Sequence, residues 1–199
     1  MSSPSTRLLL VRHGETPWNA SGRWQGHANP GLTERGAAQA AEAARAIRAA
    51  APCDWTGIVS SDLDRALRTA RAIASLLGLP VETDRRLRER DVGRWSGLTR
   101  AEIERVDPET LAAFDTGRPE IRPGGGESRI EVVSRALDFV REIVERRAGE
   151  RLILVTHLGV IRGLVPEAEP GNAERIEALA EEILAQGGAL ERRREGGVL

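Results

Sequence analysis

The stretch Leu8-Leu9-Leu10-Val11-Arg12-His13-Gly14-Glu15-Thr16 decides how this chain folds. Four apolar residues, enough for a short strand, stop at an arginine–histidine pair, and a glycine follows. A second stretch, Leu152-Ile153-Leu154-Val155-Thr156-His157, repeats the pattern of an apolar strand that ends in histidine. In α/β proteins, ligands bind at the carboxyl ends of the strands. We therefore expect two of the chain's three histidines to meet in one active site.

The 199 residues are enough for one domain with a substantial core, and we expect a single domain over residues 1–199. A net charge of −1 predicts no general attraction to nucleic acid or anionic lipid. No run approaches the ~18 apolar residues of a membrane span, and the short polar start, residues 1–6, lacks the apolar region of a secretion signal. The single cysteine, Cys53, suits a reducing compartment. These features predict a cytoplasmic protein without nucleic-acid or membrane partners, and they leave its oligomeric state open.

Short apolar runs alternate with helical stripes along the chain. Strands are predicted at residues 7–11, 58–59, 81–83 and 151–155. Helices are predicted from the cap Thr33 to about residue 50, over residues 63–77 before Gly78, from Thr99 toward Phe114, and over residues 130–144. This alternation predicts an α/β fold, a three-layer α/β/α sandwich around a mostly parallel sheet.

The C-terminal part departs from the alternation. Residues 166–190 carry apolar side chains at Ile176, Leu179, Ile183 and Leu184, a spacing that suits a helix. No strand is predicted after His157. Residues 191–199 are predicted to form a disordered tail.

An arginine–histidine pair at a strand end suits phosphoryl transfer. Neutral imidazole attacks phosphorus readily and forms a covalent intermediate that divides one displacement into two. The guanidinium fork of Arg12 binds a phosphoryl group with two hydrogen bonds. The reaction also needs further donors around the equatorial oxygens and an acid that protonates the leaving alkoxide.

These residues, with several later segments, resemble the histidine phosphatase superfamily, the phosphoglycerate mutase-like proteins. The similar segments are Arg12-His13-Gly14-Glu15-Thr16 with Trp18-Asn19, Gln25-Gly26, and residues 32–36, 60–66, 87–90, 123–128 and 155–157 with Arg162. They occur in the family's order over residues 6–165, which makes the resemblance specific. It implies a phosphoglycerate mutase-like α/β fold and points to the phosphatase branch.

The resemblance implies a role for each matching residue. His13 is the nucleophile that becomes phosphorylated, and Glu89 protonates the leaving group and then activates water. The residues around the phosphoryl oxygens are Arg12, Arg65, His157 and Asn19, while Gln25, Gly26 and Leu158 lie beside the substrate. Because arginine and histidine supply the positive charge, the resemblance implies neither a metal site nor a cofactor.

Two positions leave alternatives open. Asp91 lies two residues after Glu89 and is a second candidate for the acid. Leu158 stands where the family usually has glycine, and its side chain is expected to crowd the pocket or displace a backbone N–H. The third histidine, His27, is interpreted as a rim or solvated residue, and Glu15 as a structural hydrogen-bond acceptor.

Three functions remain compatible with these residues. The first is a metal-independent phosphomonoester hydrolase that acts on a small phosphorylated metabolite. The second is a phosphoglycerate mutase, which the short chain between Glu89 and His157 disfavours, since little of it is left to shield an intermediate from water. The third is a phospho-ligand binding protein with weak turnover, suggested only by Leu158. Specificity is expected to lie in three rim segments, residues 21–30, 94–114 and 118–126.

Overall fold

The computed structural model describes residues 5–50 and 54–195, the last eight of them by backbone alone. Its five strands are β1 (Arg7–Arg12), β2 (Gly57–Ser60), β3 (Val81–Thr83), β4 (Arg151–Thr156) and β5 (Arg175–Leu179). Its helices are α1 (Pro17–Ala20), α2 (Glu34–Ala49), α3 (Asp64–Leu77), α4 (Arg100–Val106), α5 (Pro108–Asp115), α6 (Arg129–Arg146), α7 (Leu158–Leu164) and α8 (Ala180–Glu195). Cys53 lies outside the described residues.

The sheet has the strand order β3-β2-β4-β1-β5. Its first four strands are parallel, and β5 runs antiparallel to β1 at the edge. The two strands that end in histidine are neighbours, with Arg12 opposite Thr156. The predicted α/β fold with a mostly parallel sheet is confirmed.

The strands bury both of their faces because successive side chains point to opposite sides of a sheet. On β1, Leu8 and Leu10 pack with α6, α7 and α8 on one face. The next residues along, Leu9 and Val11, pack with α2 and α3 on the other face. One core lies on each face of the sheet, between the sheet and a layer of helices, so the structure has the three predicted layers.

A third, smaller core covers the carboxyl ends of the strands. Its buried members are Val92, Trp95, Ile103 and Leu111, and the rings of Trp24 and Phe114 pack against them. The helix predicted from Thr99 to Phe114 is two helices here, α4 and α5. The break falls at Asp107, which precedes Pro108 and has a φ of −150°. A residue before proline avoids helical geometry, and proline has no amide hydrogen to continue the hydrogen bonds of the helix.

The prediction that no strand follows His157 is wrong. Residues 175–179 form β5 and not a helix, whereas Ile183 and Leu184 do lie in a helix, α8. An edge strand that is half exposed carries charges between its apolar residues, and here Arg175 and Glu177 alternate with Ile176 and Ala178. That charged alternation was interpreted as helical. The backbone of residues 191–195, in the predicted tail, continues α8, and residues 196–199 lie outside the described part of the chain.

No helix in the described ranges is long and apolar enough to cross a membrane.

Candidate active site

The carboxyl ends of β1, β2 and β4 bring the predicted catalytic residues together. The His13 amide donates to the carbonyl of Thr156 at 3.0 Å, which ties the end of β1 to the end of β4. The rings of His13 and His157 lie 5.1 Å apart between centroids. Ser61, which follows β2, contacts His157 at 2.9 Å. The expectation that two strand-end histidines meet in one place is confirmed.

A pocket of about 350 Å³ opens beside these histidines. Eight of the nine residues predicted for the site line it: Arg12, His13, Asn19, Gln25, Gly26, Arg65, Glu89 and Leu158. The ninth, His157, packs against the His13 ring and is fully buried. Further lining residues are Gly22, Arg23, Trp24, Arg90, Val92, Phe114, Gly159 and Arg162.

His13 is held as a neutral imidazole with a defined tautomer. Its Nδ1 lies 2.7 Å from the carbonyl oxygen of Gly14. Because a carbonyl only accepts, Nδ1 carries the hydrogen and Nε2 keeps its lone pair. Burial, followed by the positive charge of Arg65, lowers the pKa of His13 from 6.5 to about 3. The nucleophilic form therefore predominates at neutral pH.

His157 carries a buried nitrogen that lacks a partner. The hydroxyl of Ser61 accepts from the Leu63 amide at 3.3 Å, so its own hydrogen is available to Nε2 of His157. We assign this hydroxyl as the donor to Nε2, which places the hydrogen of the neutral ring on Nδ1, an atom with no hydrogen-bond partner among the described residues. Burial, and then Arg65, hold the pKa of His157 well below its ordinary value. Nδ1 is thus a donor without an acceptor.

Two arginines place positive charge in the pocket. Arg65, in the first turn of α3, is 1% exposed and donates to the carbonyls of Gly26 and Ala28 at 2.8 and 2.7 Å. Arg12 donates to the carbonyl of Pro170 at 3.1 Å. The Nε atoms of both arginines are buried without a partner in the described structure. Burial lowers the pKa of Arg65 to about 10, so both guanidinium groups stay charged at neutral pH.

Glu89 lines the pocket and Asp91 does not. The carboxylate of Glu89 accepts from the amides of Arg90 at 2.8 Å and Gly159 at 3.3 Å. The carboxylate of Asp91 instead accepts from the amide of Gly93 at 2.9 Å, inside its own loop. Of the two candidates for the acid, only Glu89 has access to a bound ester.

Asn19 and Gln25 line the pocket, and both side chains are held in place by hydrogen bonds from Thr16. Oδ1 of Asn19 accepts from the Thr16 amide at 3.2 Å in a capping box that starts α1, which leaves its amide nitrogen free to donate into the pocket. Oε1 of Gln25 accepts from the Thr16 hydroxyl at 3.0 Å. Gly26, at φ +51°, passes so close to Val92 that a Cβ would lie 2.8 Å from its side chain. Only glycine fits there without a shift.

Leu158 lines the pocket at the start of α7, but the position where a side chain would displace the Glu89 carboxylate is Gly159. A Cβ on Gly159 would lie 2.2 Å from Oε1 of Glu89. Leu158 was expected to crowd the pocket or displace a backbone N–H. The neighbouring amide, that of Gly159, donates to the Glu89 carboxylate. Leu158 therefore narrows the pocket and leaves that amide in position.

The outer wall of the pocket comes from two of the three predicted rim segments, through Trp24 and Phe114, and from Arg90, which was not predicted. The guanidinium of Arg90 lies 5.7 Å from the ring centroid of Phe114, and that ring meets Trp24 edge to face at 5.3 Å. Arg90 stands next to Glu89 in the sequence, so its position was available as a signal, and Phe114 is the last residue of the predicted rim segment 94–114.

Two other expected rim features lie behind the pocket. Residues 118–126 do not line it. They pack beneath it, since a Cβ on Gly126 would lie 2.2 Å from the carbonyl of Asp91. His27 was interpreted as a rim or solvated residue, but its Nε2 lies 2.8 Å from the carbonyl of Glu89 and supports that residue from behind. Glu15, as predicted, is a structural acceptor, for the hydroxyl of Thr33 at 3.0 Å.

The fold and this pocket define an α/β protein with a pocket lined by histidine and arginine at the ends of its parallel strands. The sequence model of the histidine phosphatase superfamily (branch 1) matches residues 8–185, and the chain belongs to this superfamily. It is a phosphatase of that family, a phosphoric monoester hydrolase.

Individual proteins show the same relationship. The chain is 40% identical to phosphoglycerate mutase-like protein 4 of Arabidopsis thaliana over 174 residues, which cover 86% of this chain and 74% of that one. It is 40% identical to a metal-independent phosphoserine phosphatase of the same plant, over 82% of this chain and 69% of that one. The structure of a mycobacterial glucosyl-3-phosphoglycerate phosphatase complexed with VO3 superimposes with a TM-score of 0.77 at 35% identity, covering 86% of this chain and 90% of that one.

Proposed function

We propose that this chain hydrolyses the phosphomonoester of a small phosphorylated metabolite in two steps, without a metal ion, through a phosphohistidine at His13. The proposal rests on one observation above all. The hydrogen bond from Nδ1 of His13 to Gly14 leaves Nε2 unprotonated on a ring that lines an arginine-rich pocket. A neutral imidazole so placed is a nucleophile for phosphorus.

In the first step, Nε2 of His13 forms a bond to phosphorus while the bond from phosphorus to the ester oxygen breaks. The carboxyl group of Glu89 gives its proton to the departing alkoxide. Charge on the phosphoryl oxygens is stabilised by Arg12 and Arg65 and by the donors of His157 and Asn19. The partnerless Nε and Nδ1 atoms of these groups are the donors that such oxygens would satisfy.

In the second step, water attacks the phosphorus of phospho-His13. The Glu89 carboxylate accepts a proton from this water as the bond between phosphorus and nitrogen breaks. Inorganic phosphate and neutral His13 result, and Glu89 is protonated again for the next cycle. One carboxyl thus acts as an acid and then as a base, which requires that it stay beside the phosphorus throughout.

The pocket supports a small substrate. A space of about 350 Å³ takes a phosphoryl group with a compact organic part. Its outer wall combines the rings of Trp24 and Phe114 with the guanidinium of Arg90. The similar proteins described above are named for phosphoserine and glucosyl-3-phosphoglycerate, and these two esters belong in any panel of candidate substrates.

The test is phosphate release from a panel of phosphomonoesters in EDTA, with His13→Ala run in parallel. We expect release by the native chain, a loss of at least about 1,000-fold in the variant, and acid-labile label on His13 after rapid quenching with 32P-labelled substrate. Release that needs added metal, or that survives in His13→Ala, would contradict the mechanism. Conversion of 3-phosphoglycerate to its 2-phospho isomer faster than release of phosphate would identify a mutase instead.

A further inference from the structure

Three side chains that no step of this chemistry uses converge on the loop that carries Glu89. They are His27, from the segment after α1, Glu127, from the loop before α6, and Arg135, from α6 itself. We call them the loop clamp. All three are partly or largely shielded from solvent, and the Arg135 side chain is 18% exposed. Their contacts are to the backbone on both sides of Glu89.

Arg135 holds the loop at two carbonyls. Its Nη1 donates to the carbonyl of Arg86 at 2.6 Å, and its Nη2 donates to the carbonyl of Glu89 at 3.0 Å. The Glu89 carbonyl also accepts from Nε2 of His27 at 2.8 Å. Two side chains from distant parts of the chain therefore meet on one backbone oxygen, directly behind the carboxyl group that faces the pocket.

Glu127 connects Arg135 to the far side of Glu89. Its carboxylate accepts from Nε and Nη2 of Arg135, both at 2.9 Å, in a two-pronged ion pair. Oε2 also accepts from the amide of Asp91 at 2.9 Å, and the amide of Glu127 donates to the carbonyl of Asp91 at 2.9 Å. The clamp thus holds the backbone at residues 86, 89 and 91.

Glu127 stays ionised in this position. Burial favours a higher pKa, but the hydrogen bonds from Arg135 and from the Asp91 amide outweigh it and hold the pKa of Glu127 below its ordinary value. The ion pair is therefore present at neutral pH. The guanidinium group of Arg135 contacts Glu127 through Nε and Nη2 and the loop carbonyls through Nη1 and Nη2. Because Glu127 holds Nε and Nη2, the orientation of the guanidinium group toward the loop depends on Glu127.

We propose that Arg135 is a positioning residue for Glu89, held in place by Glu127, and that its function is to keep the Glu89 carboxyl within proton-transfer reach of the leaving oxygen. The inference rests on the proposed function, in which Glu89 is the acid. A displacement of about 1 Å in a reacting group can cost a factor of roughly 100 in rate. The clamp binds the carbonyl of Glu89 itself, so a shift of this carbonyl also shifts the Cα atom that carries the side chain.

The test compares two esters that differ in their need for an acid. An alkyl ester such as glycerol 2-phosphate needs its leaving oxygen protonated, whereas p-nitrophenyl phosphate releases a stable phenolate unaided. For Arg135→Met we expect kcat/KM to fall roughly 10- to 100-fold with the alkyl ester and less than about threefold with the aryl ester. In a Glu89→Gln background, the same change is expected to cost less than about twofold with the alkyl ester, because the acid that it positions is already gone.

The matched control is Arg88→Met. Arg88 lies on the same loop and makes a two-pronged ion pair with Asp62, at 2.6 and 2.5 Å, but neither side chain contacts the Glu89 carbonyl. We expect Arg88→Met to destabilise the fold by a similar amount, measured by urea unfolding, without changing the ratio between the two esters. If Arg135→Met does not fold, Glu127→Gln tests the same clamp, and a smaller change of the ester ratio in the same direction is expected.

The inference and the proposed function fail in different ways. If Glu89→Gln lowers kcat/KM for both esters equally, Glu89 is not the acid, and the acid step of the proposed function and the positioning role are both overturned, whereas loss of release in His13→Ala still tests the phosphohistidine separately. If Glu89→Gln discriminates between the esters while Arg135→Met and Glu127→Gln slow them equally, only the positioning role is overturned. The positioning role is also overturned if Arg135→Met lowers kcat/KM for the alkyl ester by the same factor in the Glu89→Gln background as in the native chain.

Discussion

At the scale of single residues, the chemistry available in the pocket depends on which nitrogen of each side chain is not hydrogen-bonded to the protein. His13 uses one ring nitrogen to bind Gly14 and keeps the other for chemistry. His157 is bound through Nε2 and has Nδ1 without a partner in the described structure. Buried polar atoms normally find partners. The proposed function assigns the partnerless atoms of Arg12, Arg65 and His157 to the oxygens of a bound phosphoryl group.

Gly159→Ala tests how closely α7 approaches Glu89, the proposed acid. A new Cβ would lie 2.2 Å from Oε1 of Glu89, so this flexible carboxylate must move away. We expect kcat/KM for an alkyl ester to fall at least about 10-fold. The melting temperature should not drop, because alanine favours a helix more than glycine does. Steady-state kinetics and thermal unfolding measure the two effects.

The comparison variant for Gly159→Ala is Leu158→Gly, which widens the same wall without touching Glu89. We expect it to change KM more than kcat. Full alkyl-ester activity in Gly159→Ala would show that the carboxylate does not occupy this position during turnover.

At the scale of elements, the site depends on two short turns that pack backbone against backbone. Residues 93–95 and 123–125 each form one turn of 3-10 helix, and they meet below the Glu89 loop. A Cβ on Gly93 would lie 2.3 Å from the carbonyl of Gly124. Only glycines allow the two turns to approach this closely, and this approach brings Glu127 to the loop.

Gly124→Ala is therefore expected to destabilise the fold strongly. The residue has φ +59°, and its Cβ would lie 2.2 Å from the carbonyl of Val92. We expect a loss of about 3 kcal/mol or more in the free energy of unfolding, measured in urea. Gly125→Ala is the control, since it shares the positive φ, +79°, but would meet nothing closer than Arg94 at 3.9 Å.

For Gly125→Ala, backbone strain alone predicts a loss of about 1 kcal/mol. Equal losses in the two variants would mean that close packing of the turns contributes nothing beyond the backbone angle.

At the scale of the whole molecule, two fully buried histidines link stability to pH. In the unfolded chain they take up protons below about pH 6.5. In the folded chain the pKa of His13 lies at about 3, and the pKa of His157 is also well below 6.5. The unfolded state thus binds more protons in this range, so stability falls as pH falls from about 6.5 toward 3.

Each histidine is expected to contribute a slope of up to about 1.4 kcal/mol per pH unit. Urea unfolding at several values between pH 7 and 4.5 measures this slope above the range in which most carboxylates titrate. His157→Asn should reduce the slope by the share of one histidine. A stability that stays flat from pH 7 to 4.5 would show that both rings take up protons in the folded chain over the same pH range as in the unfolded chain.

The interior strands were predictable because their burial is a property of local sequence. A strand covered on both faces is a run of apolar residues, and residues 7–11 and 151–155 have this form. Strand β5 was not predicted, because its partial burial comes from its pairing with β1 at the edge of the sheet and not from an apolar run of its own. Its charged residues face solvent, where Glu177 pairs with Arg7 at 2.8 Å, and nothing local distinguishes this pattern from a polar helix.

The layered fold, the histidine at each of two strand ends and the resemblance to a phosphatase site all follow from local patterns of residues. Folding, in contrast, is what turns Glu89 and not Asp91 toward the pocket. That choice depends on how the backbone of the loop is turned, and residues 27, 127, 135 and 159 hold it through hydrogen bonds. Contacts between segments so far apart in the chain exist only after folding, so no local pattern around residues 89–91 records them.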